Sequence, residues 1–134
     1  MRILTRQDIV DAQDIQTETV EVEEWGGAVI VRMMSGADRD KFEQSLTTVR
    51  ADGRREANLT NMRSKLVAMC AVDEEGRLLF GADEVEHLAR KSASAIERVF
   101  VVAQRLNGLA PDDLGEARKN SAPGLNGASA SASL

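Results

Sequence analysis

The 134-residue chain has few of the residues that nucleic-acid-binding and metal-binding sites usually require. Aromatic residues make up 3% of it and tyrosine is absent, which argues against base stacking and against a sugar-binding cleft. Its one cysteine, Cys70, excludes an intrachain disulfide and a cysteine-rich zinc site. Its one histidine, His87, excludes a multi-histidine metal centre. The composition therefore predicts a protein that binds neither a metal nor a cofactor.

Long apolar runs and an excess of positive charge are also missing. The 17 basic and 22 acidic residues give a net charge of −5, the wrong sign for holding nucleic acid by its phosphates. No apolar run approaches the ~18 residues of a membrane span, and the first residues carry acids where a signal peptide is apolar. A single unpaired thiol fits a reducing compartment. We therefore expect a cytoplasmic protein with no nucleic-acid or membrane partner.

Neither His87 nor Cys70 lies in a pattern typical of catalysis. His87 falls in a charged helical stretch with no nucleophile beside it, so it is predicted to be a surface histidine, although imidazole titrates near neutrality. Cys70 lies inside an apolar run, whereas a reactive thiolate needs a positive and accessible setting. We expect a buried structural cysteine and a protein that is not an enzyme.

The N-terminal part of the chain predicts a short helix followed by a β-hairpin. Thr5, with Asp8 three residues later, has the spacing of a capping box at a helix start. Residues 15–24 then alternate in polarity, and residues 28–33 form a mainly apolar run. Because Trp25-Gly26-Gly27 joins these two strand-like runs, the pattern predicts an antiparallel hairpin.

Two amphipathic helices are predicted after the hairpin. Ser35 with Asp38 is a second capping signal, and Asp52-Gly53 is predicted to end the helix that follows. The apolar positions on one face of that helix are Phe42, Leu46 and Val49. The next helix is predicted to begin near Arg55 and to lead into a buried apolar segment over residues 66–72.

Shorter elements are predicted in the middle of the C-terminal half. Residues 73–76 read as a turn. Residues 77–80 are either a short strand or an extended arm that packs Phe80 into the core. Residues 83–90 predict a short helix with acids in its first turn and bases at its end, the order that the helix dipole favours.

A longer amphipathic helix is predicted over residues 95–106. Ser94 with Glu97 has capping-box spacing at its start, and Asn107-Gly108 is a C-cap signal at its end. Apolar residues recur at helical spacing between these limits, which predicts one buried face. The apolar residues of this face are Ile96, Val99, Phe100, Ala103 and Leu106.

Together these elements predict an α+β fold, in which an N-terminal antiparallel β-hairpin is followed by a mainly α-helical bundle. The expected domain covers residues 1–115. From Lys119 onward the chain is almost entirely alanine, serine, glycine and asparagine, which leaves little to bury. Residues 116–134 are therefore predicted to be a flexible, disordered tail.

Charge is distributed unevenly along the chain. Residues 1–24 hold seven acids and two bases, a sum of −5, whereas residues 25–72 hold eight bases and five acids, a sum of +3. The two segments are either complementary between copies of the molecule or simply solvated faces. The sequence alone leaves both interpretations open.

Three apolar residues near the hairpin are candidates for contact with a partner protein. Trp25 lies at the predicted hairpin tip, where it either seeks another surface or folds back over the hairpin. Met33 and Met34 follow the second strand, and methionine adapts to irregular surfaces. Filling of the core is the alternative role for both methionines.

The order and spacing of four segments resemble the tail assembly chaperones of long-tailed, siphovirus-type bacteriophages and prophages. The first segment is Leu4-Thr5 with Asp8-Ile9, and the second is Glu24-Trp25-Gly26-Gly27 at the hairpin tip. The third runs from Asp73 to Phe80, and the last from Lys91 to Leu109. The resemblance covers residues 3 to about 120 and depends on the order of the segments, because none of them is catalytic.

This resemblance implies a non-enzymatic role in phage tail morphogenesis. Members of the family bind and solubilise the aggregation-prone tape measure protein, help to recruit tail tube subunits, and self-associate. The protein is then expected in the host cytoplasm and absent from the mature virion. A small acidic protein with amphipathic helices is suited to shield apolar client helices and keep the complex soluble.

The resemblance also implies a programmed ribosomal frameshift near the end of the gene. Lys119-Asn120 is encodable as AAA AAC and Leu125-Asn126 as UUA AAC, both parts of slippery sequences. A change of reading frame at either dipeptide leaves the folded domain intact and adds a second, C-terminal domain on a flexible tether.

Two other classes of protein remain as alternatives. One is a structural component of the virion, such as a head–tail joining or tail completion protein, which would remain in purified particles. The other is a small DNA-binding regulator of the antitoxin type, against which the low number of clustered basic residues weighs.

Overall fold

The computed structural model describes residues 1–109. The predicted domain boundary at 115/116, the tail, and the dipeptides Lys119-Asn120 and Leu125-Asn126 lie outside the described residues. The helices are α1 (Arg6–Asp11), α2 (Gly36–Ser45), α3 (Met62–Cys70), α4 (Val85–Ala89) and α5 (Ala93–Leu106). The strands are β1 (Thr17–Val22), β2 (Gly27–Arg32), β3 (Thr47–Val49), β4 (Arg55–Ala57) and β5 (Ala71–Val72). Short 3-10 helices cover Glu23–Trp25 and Ala82–Glu84.

The predicted α+β fold is confirmed, and its N-terminal hairpin is β1 and β2. The strands pair antiparallel from Thr17 opposite Arg32 to Val22 opposite Gly27. On β1, burial alternates as the sequence pattern predicts, and Val22 is fully buried. β5 pairs antiparallel with β2, so the sheet has the order β1-β2-β5.

The core lies where α3 and α5 pack together and α5 covers the sheet. The buried face of α5 contains the residues that its helical spacing predicted, although Leu106 is only half-buried. The apolar segment 66–72 is buried as expected, apart from the half-buried Met69. Thus the helical bundle closes one face of the hairpin sheet.

The segment after α2 differs from the prediction. α2 ends at Ser45, and Val49 lies in β3, 60% exposed, rather than on the buried helix face with Phe42 and Leu46. Arg55, predicted to begin a helix, lies in β4, which pairs with β3. The consecutive β-branched residues of β3 favour a strand. Gly53, with φ of 86°, lies in the turn of this second hairpin.

The start of α5 also differs from the prediction. Its N-cap is Ser92, whose side chain accepts a hydrogen bond from the backbone N–H of Ala95. The two residues predicted to form the capping box make tertiary contacts instead. Ser94 donates to Glu24, and Glu97 pairs with Arg63 at 2.8 Å. The other predicted caps, at Thr5 and at Ser35, are confirmed.

Asn107, the C-cap of α5, ties three parts of the fold together. Its side-chain oxygen accepts a hydrogen bond of 2.7 Å from the backbone N–H of Met34, which follows β2. Its amide nitrogen donates to the Ala103 carbonyl and to Cys70 Sγ, at 2.9 and 3.4 Å. The predicted cap is therefore also a tertiary link between the ends of β2, α3 and α5.

Candidate functional site

The tip of the first hairpin is fixed against the start of α5. The chain turns through the 3-10 helix Glu23–Trp25 and through Gly26, whose φ of 73° suits a glycine. The Glu24 carboxylate accepts hydrogen bonds of 2.9 Å from Ser94 Oγ and from Arg98 Nε. This pair of contacts holds the turn, and Trp25 with it, in one position over the helical bundle.

The environment of Glu24 favours its charged form. Its own backbone N–H, the Ser94 hydroxyl and then the Arg98 guanidinium lower the pKa of the Glu24 carboxyl below its usual 4.5. The ionised carboxylate is therefore present at neutral pH, where it links the hairpin tip to α5.

An apolar cleft with a volume of about 390 Å³ opens beside this tip. We call this site the tip cleft. Its lining is aliphatic and aromatic except for one lysine. The lining residues are Trp25, Val29, Val67, Ala71, Leu79, Phe80, Leu88 and Lys91.

Residues from separate elements form the floor and walls of the tip cleft. Val67 from α3 and Ala71 from β5 are buried and belong to the core. Leu79 is held against them because its backbone N–H donates to the Ala71 carbonyl at 3.0 Å. Leu88 from α4 is also buried. The cleft therefore has a floor made of core residues, which favours a defined shape.

The tight turn before Leu79 sets the direction of this wall. The Asp73 carboxylate accepts hydrogen bonds from the backbone N–H groups of Arg77 and Glu75 and pairs with the Arg77 guanidinium. These contacts lower the pKa of the Asp73 carboxyl, and the hydrogen bond from the Arg77 backbone N–H contributes most. Leu78 then bridges to Val72, so the segment returns along β5 as an extended arm with Phe80 half-buried.

The rim of the tip cleft exposes apolar side chains. Trp25 is 36% exposed and Leu79 is 47% exposed. Lys91 makes no ion pair within residues 1–109, where ten ion pairs are present between other residues. An apolar rim beside a lysine suits an apolar segment that carries an acidic group.

The structure does not bring the three candidate partner residues together. Trp25 precedes β2 and lines the tip cleft, whereas Met33 and Met34 follow β2 at its other end. Met34 is 8% exposed and belongs to the core, so it lacks the exposure that contact with a partner requires. Its burial agrees with the alternative role of filling the core. Met33 is half-buried, and its sulfur lies 3.4 Å from the backbone N of Gln16. A partner contact by Trp25 or Met33 stays a prediction.

The two residues considered for chemistry lie where the sequence predicted. His87 is exposed on α4. Cys70 is fully buried, and burial raises the pKa of its thiol to about 11, partly opposed by the hydrogen bond from Asn107. Within residues 1–109 no cluster of three metal-ligating side chains occurs, and no helix is long and apolar enough to cross a membrane.

Sequence reasoning missed most of the tip cleft. The apolar triplet Leu78-Leu79-Phe80 after a turn was a usable signal, because three adjacent apolar residues in a short exposed segment need a surface to cover them. Leu88 and Lys91 gave no such signal. Their place beside Trp25 depends on how α4 packs on α3, which no local pattern specifies.

The fold and this site describe a small α+β protein with an exposed apolar cleft and, within residues 1–109, no metal cluster. The family model of the phage tail assembly chaperones matches residues 5–120. The chain therefore belongs to the phage tail assembly chaperone family.

A solved structure agrees with this family in its fold. The tail assembly chaperone of bacteriophage HK97 superposes with a TM-score of 0.53 at 20% sequence identity. The match covers 78% of this chain and 94% of the HK97 chain. No curated protein sequence matches the chain. The family is one of chaperones, a non-enzymatic role, and its members act in the host cell during tail assembly.

Proposed function

We propose that this protein binds and solubilises the tape measure protein during tail morphogenesis, and that the tip cleft is the client site. The observation that supports the site is an apolar cleft of about 390 Å³ with Trp25 and Leu79 exposed at its rim. Amphipathic client helices present apolar side chains at successive turns, which grooves of this kind accept. In this proposal the protein acts by binding alone and catalyses no reaction.

In this proposal each chaperone copy binds the client weakly, and many copies together bind it strongly. A long client offers many apolar segments, so several chaperone copies bound along it give high overall retention. Each copy must nevertheless leave when the tail tube forms. Recruitment of tube subunits and absence from the mature virion belong to the same proposal.

Co-expression with the tape measure protein of the same phage tests this function. We expect the client to be insoluble alone, and to become soluble and be retained on the chaperone when both are made together. Trp25→Ala should reduce retention, whereas Val101→Ala, which shortens an exposed aliphatic residue of α5 outside the tip-cleft lining, should leave it unchanged. Client that neither binds nor gains solubility would exclude the proposal.

Analysis of purified particles separates the proposed function from that of a structural virion protein. A chaperone is absent from mature particles, and a head–tail joining or tail completion protein is present at fixed stoichiometry.

The programmed frameshift is a separate proposal, and the codons of the gene test it. AAA AAC codons for Lys119-Asn120 or UUA AAC codons for Leu125-Asn126 would support it, and codons such as AAG AAT and CTG AAT would remove it.

A further inference from the structure

The first sixteen residues contrast with the rest of the described chain, because none of them is buried. We call residues 1–16 the N-terminal arm. The arm contains a capped helix, α1, and five exposed aliphatic residues. These residues are Ile3, Leu4, Ile9, Val10 and Ile15. Such a concentration of exposed aliphatic side chains marks a segment that contacts another surface.

The helix in the arm is too short to persist in water without support. α1 has six residues, whereas isolated helices shorter than about 12–15 residues are marginal. Its capping box is complete, and Leu4 and Ile9 occupy the two positions of a hydrophobic staple around it. These local contacts limit fraying but leave the aliphatic side chains uncovered. A surface outside the arm is therefore needed to cover them.

The tip cleft has the properties that such a surface needs. Its volume of about 390 Å³ exceeds that of an apolar cavity of ~150 Å³ that holds benzene, so it admits more than one aliphatic side chain. Lys91 lines it and has no ion-pair partner among residues 1–109, so it suits an acidic group. The arm supplies such groups, since Asp11 and Asp14 follow its aliphatic pair Ile9-Val10. The arm and the tip cleft are therefore complementary both in apolar character and in charge.

We propose that the N-terminal arm of one copy occupies the tip cleft of a second copy. The arm leaves the sheet where Thr17 pairs with Arg32, whereas the cleft lies at the hairpin turn beyond Val22. At about 3.4 Å per residue, these ends of β1 are about 17 Å apart. Each copy therefore offers an arm at one end and a cleft at the other.

Contacts of this head-to-tail kind generate rings or open chains rather than closed two-fold dimers. The arm and a client helix compete for the same cleft, a consequence that rests on the proposed function. Self-association itself does not rest on it, since it is measured without client.

Sedimentation velocity of the full chain over a range of concentrations tests the proposal. We expect association beyond the dimer for the parent protein. The arm variant Val10→Ser and the cleft variant Leu79→Ser should each weaken it by about tenfold or more. Matched controls are Val49→Ser, at the same 60% exposure as Val10, and Val101→Ser, at the same 47% as Leu79. Both controls should associate like the parent.

Mixing the two interface variants gives the sharpest result. The arm variant keeps an intact cleft and the cleft variant keeps an intact arm, so an equimolar mixture should form one-to-one dimers and nothing larger. Absence of that dimer, or undiminished association of either single variant, would overturn the proposal. A monomeric parent at every concentration would overturn it as well. Client retention by the parent is scored separately, so failure of the client-binding proposal is distinguishable from failure of this one.

Discussion

Helix α1 of the N-terminal arm and helix α5 of the core have the same kinds of sequence signal, but α1 is exposed and α5 is packed against other elements. Each helix begins with a side-chain cap, Thr5 for α1 and Ser92 for α5, and each contains aliphatic residues. In α5 five residues are buried, whereas α1 buries none. Local signals therefore predict where a helix forms, but its buried surface depends on what packs against it.

This contrast separates residues that hold the fold from residues that are free to contact a partner. The core is closed by apolar packing and by the polar link at Asn107, so changes there alter the free energy of unfolding. The arm contributes almost nothing to that free energy in the monomer, so changes there should alter association instead. Four predictions test this division, from the largest expected effect on stability to the smallest.

The same truncation placed in the core and in the arm should have very different effects on stability. Leu66→Ala removes a fully buried side chain of α3 and should lower the free energy of unfolding by about 2–5 kcal/mol. Leu4→Ala removes a side chain that is 54% exposed and should change it by less than ~0.5 kcal/mol. Urea denaturation at low protein concentration, where copies are separate, measures both. A loss above ~1 kcal/mol for Leu4→Ala would show that the arm belongs to the fold.

The polar link at the end of α5 should matter almost as much as apolar packing. Asn107→Leu leaves the backbone N–H of Met34 without its acceptor and the Ala103 carbonyl without its side-chain donor. We expect a loss of about 1–3 kcal/mol, because an unsatisfied polar group is costly away from water. Thermal or urea denaturation measures this loss.

Gln104→Leu on the same helix is the matched control, since Gln104 is half-buried and the replacement is the same. Its effect should be clearly smaller. Equal losses for the two variants would mean that the link at Asn107 has no special role.

The fold shows which features of the sequence were decisive. The first hairpin was predictable because alternation, β-branched residues and Gly26-Gly27 all favour the same structure. The second hairpin was missed because Asp52-Gly53 suits both a helix end and a hairpin turn. The three β-branched residues of β3 favoured the hairpin, but helical spacing from Phe42 to Val49 masked them.

The candidate site was less predictable than the fold. Trp25 was identified from its position at the hairpin tip, and it does line the tip cleft. Met34 has a similar sequence context to Met33, yet it is buried, because the backbone after β2 is held by Asn107. The tip cleft combines residues more than sixty positions apart, such as Trp25 and Leu88, so only tertiary packing defines it.

Acid should loosen the hairpin tip before it affects the core. Because the pKa of Glu24 is lowered in the folded protein, its stabilising contribution is present above the ordinary value of 4.5. That contribution is lost as pH falls through the lowered value, when the contacts with Ser94 and Arg98 weaken. Trp25 fluorescence should therefore change in this acidic range, and the change should be absent or much reduced in Glu24→Gln.

A matched control for the tip is Glu23→Gln, because the hydrogen bonds and the ion pair to α5 are made by the neighbouring Glu24. Its fluorescence titration should follow that of the parent protein. If Glu23→Gln and Glu24→Gln behave alike, the contacts of Glu24 do not control the position of Trp25.

The smallest expected effect on global stability comes from the cap of the arm. Thr5→Ala removes the side chain that accepts a hydrogen bond from the backbone N–H of Asp8. The helix cap is worth ~1 kcal/mol to α1 itself, but α1 buries nothing, so global unfolding should shift by less than ~0.5 kcal/mol. Hydrogen exchange should show faster exchange at Asp8 and Ile9 only.

Ser92→Ala provides the comparison, because it weakens the cap of α5, whose face is buried, and should lower global stability by ~1 kcal/mol. If Thr5→Ala destabilised the whole protein as much as Ser92→Ala, the arm would be part of the folding unit. Its exposed aliphatic residues would then be less available to a second copy.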